Sequence, residues 1–256
     1  MASFYDTTVG QLIEFLCVLA SAGFTDADIA QIIKEPNLAS AMYASIQPRT
    51  APSMSTATNI VARVERQLQR YEAAGFIVSD EVRQRILAQA EAFVPLSATD
   101  RPLVTGFFDS TPEAFNQVWS KVKLDGYKTI RYFNESQPLR FADGMQPPNH
   151  GPRLVHFDPN TYQGDSPESA LKKAKRDKVR LAGIEVAEML FVEPEWALEW
   201  NGKDHPYLNC SALQLGTGWS GVPYLYRWGD GRQLKLNGCW AGNRNVHWSS
   251  PSVREC

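Results

Sequence analysis

Residues 222–236 carry a pattern that constrains the fold more tightly than any other stretch of the chain. Val222, Tyr224, Tyr226 and Trp228 take alternate positions, Gly229, Asp230 and Gly231 follow, and Leu234 and Leu236 then alternate with Gln233 and Lys235. Period two is the side-chain repeat of a strand, and the Gly-Asp-Gly triplet supplies the backbone freedom of a tight reversal, so the segment predicts a β-hairpin. Four of the seven tryptophans, Trp219, Trp228, Trp240 and Trp248, lie in or beside it, interleaved with Gly, Asn and Ser. Residues 237–250 are small, polar or aromatic without periodicity, which predicts a long irregular loop, and Ser252, Val253 and Arg254 read as a short closing strand.

Upstream the grammar differs. Residues 8–93 read as helix: Thr25 and Asp28 form a capping signal, Ile29, Ile32 and Ile33 repeat at helical spacing, and Pro36 ends that helix. A Pro, Ser and Thr-rich stretch at 47–55 is linker-like, after which 60–71 and 82–93 regain amphipathic periodicity, the latter capped by Ser79. A helical domain over 1–95, suited to docking or homo-oligomerisation, is expected, with a second domain over 96–256. In that domain 104–108 reads as a strand, Ser110 and Glu113 as a capping box, and Phe115, Val118, Trp119 and Val122 as an apolar helix stripe stopped by Gly126. Residues 127–133 and 153–157 read as strands. A further helix starts at Ser166 and Pro167 and carries apolar residues through Leu190 toward Trp196 and Trp200, broken or kinked at Pro194. The fold class is α+β.

Composition excludes several classes. With 43% apolar and 21% charged residues the chain can build a core, and its net charge of −2 gives no whole-molecule attraction to nucleic acid or anionic membrane. The apolar stretch 12–23 contains Glu14, lacks a basic flank and is too short to cross a bilayer, so it reads as a buried helix, and no signal peptide or membrane span is expected. Cys17, Cys210, Cys239 and Cys256 form no C-x-x-C pair, which fits reduced thiols in a cytoplasmic protein.

Chemistry-bearing patterns are sparse. His150, His156, His205 and His247 show no metal-ligand spacing, and no G-x-S-x-G elbow is present, so neither a metal nor a cofactor is expected. Asp143, Asp158 and Glu185 could serve as an acid and base pair only if the fold gathered them. A hydrolase or transferase site over 103–157 is the alternative that this leaves open. Lys172, Lys173, Lys175, Arg176, Lys178 and Arg180 crowd one helix opposed by Asp177 alone, a phosphate-contacting surface or a solvated face, and the only basis for a nucleic-acid binder. The glycines from 216 to 221 lack the Lys-Ser/Thr ending of a phosphate loop. The tail itself, rich in Trp, Tyr, Asn, Ser and Gly, has the composition of a paratope, in which rigid aromatics supply contact area and small polar residues adaptable hydrogen bonds.

The runs Trp219-Ser220-Gly221-Val222-Pro223-Tyr224-Leu225-Tyr226, Gly231-Arg232-Gln233-Leu234-Lys235-Leu236, Trp240-Ala241-Gly242-Asn243 and Ser250-Pro251-Ser252-Val253-Arg254-Glu255 together resemble the variable proteins of diversity-generating retroelements. The likeness extends over about 100–256, with Pro194-Glu195-Trp196 and His205-Pro206-Tyr207, and is nearest to C-type-lectin-fold members from candidate-phyla bacteria. It implies a non-enzymatic binding scaffold whose 3′ coding end is diversified at template adenines, with a variable region near 209–249 and a protein ligand. Adenine changes in asparagine codons reach Gly, Ser, Thr, Tyr, His, Cys, Asp or Arg but never Trp, Lys, Gln, Glu or Met. By that logic Gly216, Thr217, Gly218, Gly221, Tyr224, Asn237, Gly238, Cys239, Asn245 and His247 are permitted ligand-contacting positions. Trp219, Trp228, Gln233, Lys235, Trp240 and Trp248 are then scaffold. Unlike family members displayed on cell surfaces, the sequence carries no secretion or lipid signal.

Overall fold

In a computed structural model the chain divides into two compact units, Met1–Met54 and Ser55–Cys256. The structure describes residues 54–133, 137–201, 205–216, 221–228 and 232–256, so the readings made on 1–53 lie outside the described residues.

The second unit opens with two helices, α1 (Met54–Ala73) and α2 (Asp80–Glu91). Ser79 caps α2 as its sequence suggests, its hydroxyl accepting from the Val82 N–H at 3.3 Å. Val64, Leu68, Tyr71, Ile86 and Ala90 are fully buried in the same core as the strands. The boundary expected near 95 therefore falls inside this unit, because the apolar stripes of α1 and α2 are covered by β-sheet. Gln67 fastens the join, donating to the Pro102 carbonyl and accepting from the Val104 N–H.

Two sheets follow. The first runs β1 (Arg101–Thr105), β4 (Arg153–Asp158), β11 (Ser252–Glu255) and β5 (Arg180–Leu181), antiparallel throughout. Gly106 ends β1 at φ +89°, and a Cβ there would lie 2.2 Å from the Gly151 carbonyl oxygen, so only glycine fits. The second sheet centres on a hairpin, β8 (Gly221–Trp228) and β9 (Gln233–Trp240). On one edge β8 pairs with β6 (Tyr207–Asn209) and β7 (Leu213–Leu215); β6 carries β10 (Trp248–Ser249) and β7 carries β3 (Leu139–Phe141). On the other side β9 takes up β2 (Lys128–Arg131) in parallel. The fold is thus mixed helix and sheet.

Of the remaining helices, α3 (Ala114–Lys121) packs on α5 (Ile184–Val192), and α4 (Pro167–Asp177) packs against β5. Ser166 caps α4 ahead of Pro167 as expected, but Glu113 at the start of α3 makes no side-chain cap, contrary to the capping box read from Ser110 and Glu113. The single long helix expected from 166 onward is also divided. Lys178 turns the chain at φ 54°, β5 intervenes, α5 follows, and Pro194 opens a 3₁₀ segment, Pro194–Glu199. Every residue of α5 is buried, including Glu185 and Glu188. Asn237, Gly238, Cys239 and Trp240 extend β9, so the irregular segment is shorter than 237–250.

No described helix is long and apolar enough to cross a membrane.

Candidate functional site

Strand register decides which side chains of the second sheet share a face. Tyr224 stands opposite Asn237, Tyr226 opposite Lys235 and Val222 opposite Cys239, while the intervening Leu225 pairs with Leu236 and is fully buried. Alternation therefore presents Tyr224, Tyr226, Trp228, Lys235, Asn237 and Cys239 on the outward side of the hairpin. β6 adds Tyr207 and Asn209, β10 adds Trp248, and β2 leads into Tyr132.

The aromatics are in mutual contact across the strands. Tyr224 stacks on Trp248 with centroids 4.5 Å apart and on Tyr226 at 5.3 Å, and Tyr207 meets Tyr226 edge-on at 6.0 Å. Such pairs hold ring positions on the open part of the face, whereas Val222 and Asn209 on the same face are fully buried. At the β2 side the Lys235 ammonium lies 4.5 Å from the Trp228 ring, 5.3 Å from Tyr132 and 5.7 Å from Tyr226. Trp228 is 51% and Tyr132 54% exposed, against complete burial of Leu208, Leu225, Leu234 and Leu236 beneath. The result is a shallow aromatic platform on a rigid floor.

The platform has one buried polar fixture. Asn209 is fully buried; its Oδ1 accepts from the Cys239 thiol at 3.7 Å, and its Nδ2 has no hydrogen-bond partner among the described residues. Burial raises the Cys239 thiol to about 12, so it is an apolar, protonated group rather than a nucleophile. Burial, with Tyr226 and Cys239 nearby, likewise raises Tyr224 to about 12, keeping its hydroxyl a hydrogen-bond donor. At the rim, Asn245 Oδ1 accepts from the His247 N–H at 2.9 Å, a side-chain turn that starts β10.

The ten residues expected to contact ligand do not all gather. Tyr224, Asn237 and Cys239 lie on the platform, and Asn245 and His247 on its rim. Gly221 and Gly238 belong to the opposite face, opposite Trp240 and Pro223 respectively; Gly238 is itself exposed there, yet a Cβ on it would come within 2.8 Å of Leu215 Cδ1. Gly216 sits at φ +80°, donating to the Pro138 carbonyl, a conformation that disfavours side chains. These three glycines thus serve packing and backbone geometry. Thr217, Gly218 and Trp219 lie outside the described residues.

The tryptophans expected as scaffold also divide. Trp248 is half-buried against Tyr224, but Trp240 is 74% exposed and Trp228 51%, because the hairpin ends receive no covering layer. Among the described residues the core tryptophans are Trp119, Trp196 and Trp200. Tyr132, Tyr207, Tyr226 and Asn209 complete the platform and were missing from the sequence-based contact set. Tyr226 was available from its alternation with Tyr224, whereas Tyr132 and Tyr207 depend on strand pairing that crosses the chain.

Other sequence candidates are held in separate local arrangements. Asp143 pairs with Lys175, Asp158 accepts from Ser97 and Thr99, and Glu185 pairs with Arg180 at 2.6 Å. Along α4, Lys172 meets Glu168, Lys173 meets Asp165 and Arg176 meets Asp177, so most of the basic run is compensated locally. His156 contacts the buried Asp100 at 2.6 Å, and His205 stands 3.8 Å from Glu199. Among the described residues no group of three or more His, Cys, Asp or Glu is arranged to hold a metal ion. No family model, curated protein or solved structure matches the chain.

Proposed function

We propose that the chain is a ligand-binding variable protein of a diversity-generating retroelement, built on a C-type-lectin fold, and that the aromatic platform of the second sheet is its ligand-binding surface. The observation that carries the reading is the register of the hairpin. Tyr224, Asn237 and Cys239, three positions that adenine mutagenesis of asparagine codons can reach, project together from one face beside Asn245 and His247. Trp228 and Lys235, which that route cannot produce, stand among them as fixed neighbours.

The physical division of labour suits such a role. Platform side chains rest on a leucine floor, so changing them alters contacts while leaving the buried pairs of the sheet intact. The platform is open and shallow, a shape that fits a protein surface better than an enclosed small molecule. A cytoplasmic location, with surface display as the alternative, suits Cys210, Cys239 and Cys256, which are free thiols.

Deep sequencing of the gene's 3′ end across one population tests the proposal. Variation at adenine-templated positions in the codons for Tyr224, Asn237, Cys239, Asn245 and His247, with the tryptophan codons constant, is the expected result. Uniform sequence across 209–249 overturns it.

A further inference from the structure

We propose that the β2 and β9 side of the platform receives an acidic segment of a protein partner, with an Asp or Glu carboxylate docking on Lys235. This rests on the ligand-binding reading of the platform and adds the chemistry of what is bound.

Lys235 is held among Trp228, Tyr132 and Tyr226, and its ammonium makes no hydrogen bond or ion pair among the described residues. Cation–π contact with three rings fixes the ammonium in place but leaves its N–H donors without acceptors. Strand register sets Lys128, opposite Gln233, on the same face and one pair away. Lys128 is exposed and has no carboxylate partner among the described residues either. The Tyr132 and Tyr226 hydroxyls and the Trp228 indole N–H add further donors at this corner.

Among the described residues no carboxylate pairs with either lysine. None of β2, β6, β8, β9 or β10 contains an Asp or Glu. The contrast with the rest of the molecule is direct: on α4, Lys172, Lys173 and Arg176 each have a carboxylate partner, and Arg63, Arg70 and Arg101 pair with Glu193, Glu195 and Glu199. Cations left uncompensated on an aromatic surface complement a carboxylate flanked by apolar atoms. The rings cover the aliphatic part, and the ammonium, already ordered by them, loses little side-chain entropy on pairing.

The corner presents Lys128 and Lys235 rather than a row of cations along a groove, which suits a single carboxylate of a protein partner better than a nucleic-acid backbone. Random peptides displayed on phage and selected on the full-length chain are the probe. Recovered peptides should be enriched in Asp and Glu over the unselected library. As synthetic peptides they should bind Lys235→Glu at least about tenfold more weakly, Lys235→Arg within a few fold of the parent, and all more weakly at higher salt. Circular dichroism of each variant checks that it is folded. Peptides without acidic enrichment, or insensitive to Lys235→Glu, overturn the acidic-partner inference. If those same peptides still lose binding with Tyr224→Ala, the platform itself stands as the binding surface. Peptides indifferent to both variants, or a selection that yields none, overturn both. An oligonucleotide that outcompetes the peptides and is lost with Lys235→Glu, or a homodimer dispersed by it, reassigns the corner and overturns a protein partner of acidic sequence.

Discussion

Replacing Glu188 with glutamine should remove most of a pH dependence that α5 builds into the stability of the fold. The Glu188 side chain is buried on a helix with no exposed residue; its carboxylate accepts from the Thr105 hydroxyl, from the Gly106 N–H at 3.3 Å and from the Tyr71 hydroxyl at 3.3 Å. Burial first, and the charge of Glu185 second, raise its pKa to about 7 from 4.5, with Thr105, Gly106 and Arg153 pulling the other way. Glu185 behaves oppositely. Burial pushes it up, but Arg180 and the N–H groups at the start of α5 outweigh that and hold it below the usual carboxylate range.

The sign follows from proton counting. Between about 4.5 and 7 the folded chain keeps on Glu188 a proton that the unfolded chain releases, so stability falls as pH rises. The stability held by the neutral carboxyl is complete below about 4.5 and is lost as pH passes through about 7. At about 1.4 kcal/mol per pH unit, that gap amounts to about 3 kcal/mol. A glutamine keeps an oxygen for the Gly106 N–H and can donate its amide to the Thr105 hydroxyl, so it replaces the neutral form without a charge to bury. Urea denaturation at pH 5 and at pH 8.5 compares the two chains. The parent should lose about 2–3 kcal/mol more than Glu188→Gln over that range. Equal losses in the two chains would show that Glu188 is not the group responsible and refute the reasoning.

Three further outcomes follow from positions already described. Gly106→Ala, which places a Cβ 2.2 Å from a backbone oxygen at a positive φ, should destabilise by about 3 kcal/mol or more in the same denaturation assay. Gly238→Ala should cost about 1 kcal/mol by crowding Leu215, whereas Asn237→Ala, one residue away on the platform, should stay within about 0.5 kcal/mol; equal costs would contradict the assigned faces. Val253→Ala, in a strand enclosed between β4 and β5, should lower stability by about 2 kcal/mol, measurable as a fall in Tm.

Much of this was legible because it is local. The hairpin, the Ser79 and Ser166 caps, the break at Pro194 and the closing strand at Val253 each rest on a signal within a few residues. What escaped is what contacts across the chain decide. Nothing near Asn237 or Gly238 says which of two adjacent residues faces out; that depends on the pairing of Pro223 with Gly238. The helix expected through 178–190 was divided because Arg180 and Leu181 pair with Val253 and Ser252, far along the sequence. The helices α1 and α2 looked self-contained for the same reason: an amphipathic stripe records that a partner exists without naming it.

β11 lies in the interior of its sheet, hydrogen-bonded to β4 on one side and β5 on the other. A chain whose reading frame is lost anywhere in the preceding hairpin or loop would lack that strand and leave β4 and β5 as two open edges across an empty slot. Such a product would be unstable as a whole, however sound its platform, and exposed to proteolysis. Amino-acid exchange on the platform leaves the slot filled. The fold therefore acts as a check on frame integrity: it passes substitutions in the segment upstream of β11 and rejects insertions, deletions and stops there.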